Sequence, residues 1–232
     1  MAPAQVLTSS VEQLAQCPAA PSAEPLGLRE RKKAATRLAL GEAAMRLAIE
    51  RGLDNVLVED IAEAAGVSTR TFNNYFASKY EAICALQLDR ALRIGDELRA
   101  RPAGEPLWDS VSHAVLSQFA RADFAPDGAW IARLRLVITT PALAGEYLKV
   151  QGVAQYHLAA AIAERLGTRL ESDMFPRILA GAVSAAMQAA MERWLQSDPP
   201  VPLAPLVRQS LRRLAEGMPR VVPASGGSSD TG

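Results

Sequence analysis

Apolar positions along this chain recur every three or four residues, the spacing that turns one face of an α-helix toward a core. Over 28–51, Leu38, Gly41, Met45, Ala48 and Ile49 fall on one such stripe, and Gly52 ends it. Val58, Ile61, Ala62 and Ala65 repeat the pattern over 58–65, with Gly66 placed as a left-handed stop. Ser68 can cap a short helix over 69–75. Ser78 can cap a longer one over 79–100, where Glu81 sits in the acid-favouring first turn. Pro102, Gly104 and Pro106 break the chain, and the pattern then predicts helices over 107–122, 128–139, 142–166, 172–196 and 202–216. β-Branched residues cluster only in 134–140 (LRLVITT), which continues a helical pattern and reads as a helix end. The expected fold class is all-α: an N-terminal three-helix unit over 28–78 and a C-terminal helical bundle over 79–218. The proline-containing segment 1–27 and the Gly- and Ser-rich segment 219–232 read as disordered tails.

Charge changes this picture locally rather than globally. The 232 residues carry no net charge, so no basic excess over the whole chain marks a nucleic-acid binder. Between Arg29 and Arg37, however, five basic residues (Arg29, Arg31, Lys32, Lys33, Arg37) face one acid, Glu30, a local balance of +4. Cys17 and Cys84 stand in unlike contexts, so a disulfide framework is not expected and a reducing cytoplasm fits. No apolar run is long enough to span a membrane, and the first residues lack the basic and apolar order of a secretory signal.

The stretch 58–79, VEDIAEAAGVSTRTFNNYFASK, carries the chemistry. A short amphipathic helix turns Ile61 and Ala62 inward, small Ala65 and Gly66 allow a close crossing, and Val67 fills the corner. The next helix then exposes Thr69, Arg70, Thr71, Asn73 and Asn74, while Phe72 and Phe76 anchor it. This is the pattern of a helix-turn-helix, whose second helix enters the major groove of double-stranded DNA. Arg70 suits guanine, and Asn73 or Asn74 suits adenine. Ser68, Tyr75 and Lys79 are better placed for phosphates, as are Arg31, Lys32 and Lys33 in the preceding basic segment. A plain helical hairpin has no need of a small-residue turn followed by an exposed polar and aromatic helix.

Over residues 31–86 the sequence resembles the tetracycline-repressor (TetR) family in its approach helix, in the Ile61-Ala62 to Gly66-Val67-Ser68 turn, and in the Tyr75-Phe76 to Ser78-Lys79 ending. Many members carry an aromatic residue where this chain has Asn73, which leaves that phosphate contact open and shifts the position toward base reading. The resemblance implies a homodimer with two DNA-binding heads, an all-helical ligand domain, and release of DNA when a small-molecule effector binds. Residues 133–143 (RLRLVITTPAL) and the helix ending at Arg165-Leu-Gly167 are similar to the branch of acyl-CoA-like ligand-binding regulators that includes the mycofactocin-associated ones.

Trp108, His113, Leu116, Phe119, Trp130, Leu134 and Tyr147 lie in the middle helices and are the candidate lining of an effector pocket, against a reading as ordinary core. Arg133 and Arg135 are candidates for an anionic ligand group or for surface salt bridges. Two histidines without a cysteine cluster point to no metal site, and no cofactor is expected. Residues 178–191 are apolar apart from Ser184 and Gln188, and Gly181, Ala182, Ala185 and Ala189 permit a close helix partner. With Leu211 they are the candidate dimer contacts, and a two-fold dimer matches a near-palindromic operator. The chain has no phosphate-binding glycine loop, nucleophile elbow or helical metal-ligand pair. The expected function is therefore a cytoplasmic transcriptional repressor, not an enzyme, with no membrane partner. The alternatives are a helical ligand-binding protein that does not act on DNA and a helical enzyme with a cryptic site.

Overall fold

The structure is a computed structural model that describes residues 27–120, 132, 135–137, 140–197 and 201–217. The described helices are α1 (Leu28–Arg51), α2 (Val58–Ala64), α3 (Thr69–Asn73), α4 (Lys79–Ala100), α5 (Leu107–Ala120), α6 (Pro141–Leu166), α7 (Phe175–Leu195) and α8 (Leu203–Ala215). A 3-10 turn, Leu53–Asn55, joins α1 to α2. The fold is all-helical, with an N-terminal helix-turn-helix unit and a C-terminal helical unit. α1 and α4 have the expected bounds. α3 ends earlier than expected because the chain tightens, with Asn74 donating to the Thr71 carbonyl at 3.1 Å and Tyr75 to that of Phe72 at 2.8 Å. α7 starts later than expected, at Phe175, whose N–H donates to the Asp173 carboxylate at 2.9 Å. Of the helix expected over 128–139, only 132 and 135–137 are described, and they are helical. Both expected tails lie outside the described residues, apart from Gly27.

Two apolar cores hold these helices. The first, in the head, gathers Leu40, Ala44, Met45, Leu47, Val56, Ile61, Phe72, Phe76 and Ile83. It does not stop at the expected boundary after residue 78: Ala82 to Ala85 of α4, Val137, and Leu143 of α6 also belong to it. The α1 stripe is shifted from the expected one. Leu40, Gly41, Ala43, Ala44, Met45, Leu47 and Ala48 are buried, whereas Leu38 and Ile49 are 46% and 37% exposed. Gly41 faces α4, where a Cβ would lie in ordinary contact at 3.4 Å from the Ala82 carbonyl and 3.5 Å from Leu86. Cys84 is buried in this core, and burial pushes its thiol up to about 12.

The second core joins Ile94 and Leu98 of α4 to Val111, Ala114 and Val115 of α5, to Leu158 and Ile162 of α6, to Val183 and Trp194 of α7, and to Val207 and Leu211 of α8. Polar clasps close its loops. The Arg165 guanidinium donates to the carbonyls of Arg101, Pro102 and Glu105. Arg101 and Ser110 both donate to the Glu105 carboxylate, which they hold down at about 2. The Trp194 indole N–H donates to the Val201 carbonyl at 2.7 Å, which ties α7 to the start of α8.

α4 and α6 form the most extensive helix pair and cross at Gly95, where the His157 ring lies on the glycine backbone. Around that contact His157 Nε2 is 3.0 Å from Asp96 and 3.0 Å from Arg99 Nη1, and Arg99 grips Glu164 with two bonds of 2.7 and 3.0 Å. In Gly95→Ala the new methyl would run into the His157 ring and its backbone carbonyl. Overpacking of this kind costs about 1–3 kcal/mol, against a helix-propensity gain of about 1 kcal/mol. The urea unfolding midpoint of Gly95→Ala is therefore expected to fall, by up to about 2 kcal/mol in stability.

Candidate nucleic-acid interface

The interface begins with the turn between α2 and α3. Asp60 accepts the Leu57 N–H at 2.8 Å and so caps the start of α2 from within. At its other end Gly66 has φ +69°, a left-handed conformation that a side chain would strain. This lets Val67 N–H return to the Ala62 carbonyl at 2.9 Å and close the helix. Ser68 then starts α3: its hydroxyl accepts the Thr71 N–H at 3.2 Å and lies 2.9 Å from the Thr71 hydroxyl. Ser68, exposed at the start of α3, thus serves as its cap.

α3 is too short to hold itself, since an isolated helix needs roughly 12–15 residues to persist in water. Phe72 and Phe76 hold it from below. They are 0% and 2% exposed, with ring centroids 5.7 Å apart, and burying each ring contributes about 1.5–3 kcal/mol. Arg37 of α1 lays its guanidinium 4.7 Å from the Phe76 centroid, which adds a cation–π contact between the two helices. With Phe72 inward, Arg70, Asn73 and Asn74 are exposed, Thr69 and Thr71 are half-buried, and Tyr75 packs partly against the head core.

The basic segment stands beside this helix. Residues 27–35 are all exposed, and the first buried residue of α1 is Leu40. At about 1.5 Å per residue, the dozen residues from Leu28 to Ala39 make roughly 18 Å of helix before the first buried position. An open cleft of about 430 Å³ separates this arm from α3, lined by Arg29, Glu30, Lys32, Lys33, Thr36, Thr71, Asn74 and Tyr75. Arg31 is exposed on the same arm. The arrangement presents N–H and O–H donors on two sides of one groove. Sequence spacing had separated these groups by about 40 residues, and only the packing of α3 on α1 brings them together.

Lys79 departs from the phosphate contact expected of it. Its ammonium donates to the carbonyls of Leu53 and Val56 at 2.8 and 2.9 Å and lies 5.6 Å from the Tyr80 ring centroid. The Leu53 carbonyl also accepts the Val56 N–H at 3.5 Å, so Lys79 adds a charged donor to the end of the 3-10 turn. Nearby, Ser78 caps α4 by accepting the Glu81 N–H at 3.1 Å, and Glu81 accepts the Ala77 N–H at 2.7 Å.

The residues expected to line an effector pocket do not share one place. Trp108, Leu116 and Phe119 are half-buried against the second core. Tyr147 packs against the head core instead, and its hydroxyl accepts the Gln151 amide at 2.7 Å; burial pushes its phenol up. His113 is exposed because the buried face of α5 runs through Ser110, Val111, Ala114, Val115 and Gln118. Trp130, Leu134 and Arg133 lie outside the described residues, and Arg135 is exposed. Of the expected dimer contacts, Ala185 and Ala189 are exposed and Gly181 and Ala182 half-buried. Leu211 is corrected: it is 2% exposed within this chain's own second core and has no surface to offer a partner. Sequence spacing missed the buried amide of Gln118, the bracing role of Lys79 and the Arg165 clasp, all of which depend on what lies opposite in space.

A capped, aromatically anchored second helix beside a basic arm defines a helix-turn-helix DNA-binding regulator. The chain belongs to the TetR family of bacterial regulatory proteins. Its residues 40–83 match the family model described as bacterial regulatory proteins, tetR family, and residues 105–219 match the MftR C-terminal domain. The HTH-type transcriptional regulator TcmR of Streptomyces glaucescens is 37% identical over 180 residues, covering 74% of this chain and 79% of TcmR. A Mycobacterium tuberculosis protein named as the mycofactocin biosynthesis transcriptional regulator MftR is 27% identical over 172 residues, 72% of this chain and 84% of its own. Among solved structures, a TetR-family transcriptional regulator from Syntrophomonas wolfei shares the fold, with TM-score 0.58 at 18% identity, covering 82% of this chain and 100% of that one.

The two roles open to Lys79 separate cleanly. Lys79→Met should cost about 1.5–3 kcal/mol of stability in chemical denaturation, the scale of hydrogen bonds from a charged donor. The slope of log K against log salt for DNA binding should stay unchanged, whereas loss of a phosphate contact flattens it by about 1 per site.

Proposed function

We propose that this regulator is a homodimeric cytoplasmic repressor whose two heads read the halves of a near-palindromic operator and let go when a small apolar or acyl-CoA-like effector binds the C-terminal helices. The observation that carries the DNA half is the exposure of Arg70, Asn73 and Asn74 on a helix locked by Phe72 and Phe76. Arg70 takes the base contact, with Asn73 as its companion, and Thr69 lies at the groove edge. Arg31, Lys32, Lys33, Thr71, Asn74 and Tyr75, around the cleft between α1 and α3, hold the phosphate backbone.

The dimer reading is supported by α7 and the residue before it, which carry exposed apolar side chains among the described residues. Met174, Phe175 and Ile178 are 75%, 50% and 63% exposed, and exposed Ala185 and Ala189 continue that side of the helix. Small residues there allow a partner helix to approach closely, and Met174, Phe175 and Ile178 supply apolar area to bury. The effector reading is supported by the match of residues 105–219 to the MftR C-terminal domain and by half-buried Trp108, Leu116 and Phe119 on α5. No chemistry beyond binding is assigned to the chain, in keeping with relatives that are named as transcriptional regulators. No described helix is long and apolar enough to cross a membrane.

Arg70→Ala is expected to weaken binding to the cognate operator by about 1–3 kcal/mol and to relax specificity at one base position, measured by anisotropy. Lys32→Ala should instead weaken operator and random DNA alike and flatten the salt slope by about 1 per head. An equal loss from Arg70→Ala on both DNAs would show that it holds phosphate. For the effector, lauroyl-CoA should bind more tightly than CoA alone and dissociate the operator complex; equal binding of the two, with the complex intact, rejects the acyl-CoA class.

A further inference from the structure

The cleft between α1 and α3 is built in tiers. Thr36 and Tyr75, both half-buried, form its base. Lys32 and Lys33 stand one turn further out on α1, with Thr71 and Asn74 on the other wall. Arg29 is the outermost cation of the lining, roughly 10 Å along the helix axis from Thr36. These α1 residues share one side of the helix, because spacings of three, four and seven residues return to the same face. Among the described residues, no hydrogen bond or ion pair engages the side chains of Arg29, Lys32 or Lys33. At about 430 Å³ the cleft has room for a phosphodiester group and its waters, each water taking about 30 Å³. Glu30 is the one acid of the lining, and in the first turn of α1 it offsets the positive end of the helix. Its carboxylate repels a phosphate at the tip, which sets the phosphate seat deeper, at Lys32 and Lys33.

The geometry of a duplex decides what lies on each side of that seat. A sugar–phosphate strand is the wall between a major groove and the next minor groove. With α3 in the major groove, the strand held at Lys32 and Lys33 is that wall, and the outer end of the arm lies over the minor groove beyond it. This groove is about 6 Å wide, too narrow for a helix roughly 10 Å across, so only a long side chain enters. We propose that Arg29 enters this minor groove and reads it as A·T rather than G·C, which gives each head a second, outer base contact. This rests on the reading that α3 enters the major groove, and it adds the second groove, the residue and the base class. Adenine N3 and thymine O2 offer acceptors to the guanidinium, whereas a G·C pair presents the guanine amino donor there. Arginine suits the place better than lysine, since its head is more weakly hydrated and narrow A·T minor grooves carry an enhanced negative potential. Arg31, about 200° round α1 from Arg29, faces away from the cleft and remains a phosphate contact.

The operator that the full chain selects from random duplexes tests this by anisotropy. Pairs whose preference Arg70→Ala abolishes mark the footprint of α3. At one or two A·T pairs just outside it, exchange for G·C should weaken binding about five-fold or more, the lower end of the cost of a wrong base pair. Inosine·cytosine keeps the major-groove edge of G·C but lacks the minor-groove amino group, so it should bind within about two-fold of A·T. Arg29→Ala should bind all three duplexes within about two-fold of one another. It should also keep the base preferences inside the α3 footprint, which shows that the head is folded. Absence of any flanking preference, inosine as weak as guanine, or a flanking preference that survives in Arg29→Ala each overturns the assignment. Loss of the α3 preferences as well in Arg29→Ala would mean a structural role and would equally reject it. If Arg70→Ala alters no base preference, the α3 reading itself has failed; if it does and the flank is indifferent, only the arm contact has.

Discussion

α4 belongs to both cores, and the rest of the molecule is arranged around that constraint. Its first turns, Ala82 to Ala85, complete the packing under the recognition helix, while Ile94 and Leu98 lie among α5, α6, α7 and α8. A helix of 22 residues is a stiff rod roughly 33 Å long. Any rotation of its far half is delivered to the head, because packed interiors do not deform continuously. α6 repeats the arrangement, with Leu143 in the head core and Leu158 to Ile162 in the other. Gly95 permits the two rods to touch, and the Asp96, Arg99, His157 and Glu164 network fixes their crossing.

The DNA-reading element is the part least able to stand alone. α3 has five residues, and its position is decided by what it packs on: Phe72 and Phe76 below, Arg37 across, and Ser68 at its start. This division of labour leaves Arg70, Asn73 and Asn74 exposed, outside the packing that holds the helix. Lys79 is the converse case. Its charge is spent on two backbone carbonyls of the preceding turn, and the position serves stability.

Polar groups inside the C-terminal helices sort in the same way. The Arg101, Glu105, Ser110 and Arg165 knot is fully paired and closes a loop. Gln118 is buried on α5, where its amide oxygen accepts from Arg93 and its nitrogen donates to Ser117. On α7 the distinction falls between faces: Val183, Ala190 and Trp194 are buried in the chain, while Phe175, Ile178 and Ala185 are exposed. One helix thus supplies core on one side and an apolar surface on the other.

The sequence by itself determined the helices, their caps and the helix-turn-helix register, because these depend on local periodicity, on Ser68 and Ser78 as caps, and on Gly66 in a left-handed turn. It also determined that a basic arm precedes the reading helix. Only the tertiary structure decided which face of α1 is buried, since the neighbours that cover Leu40, Ala44 and Leu47 leave Leu38 and Ile49 outside. It likewise decided that Lys79 turns inward, that Leu211 lies in the core, that His113 faces solvent, and that Tyr147 serves the head. These outcomes rest on contacts between residues tens of positions apart. A pattern with a period of three to four residues says that a face is apolar, but not which neighbour covers it.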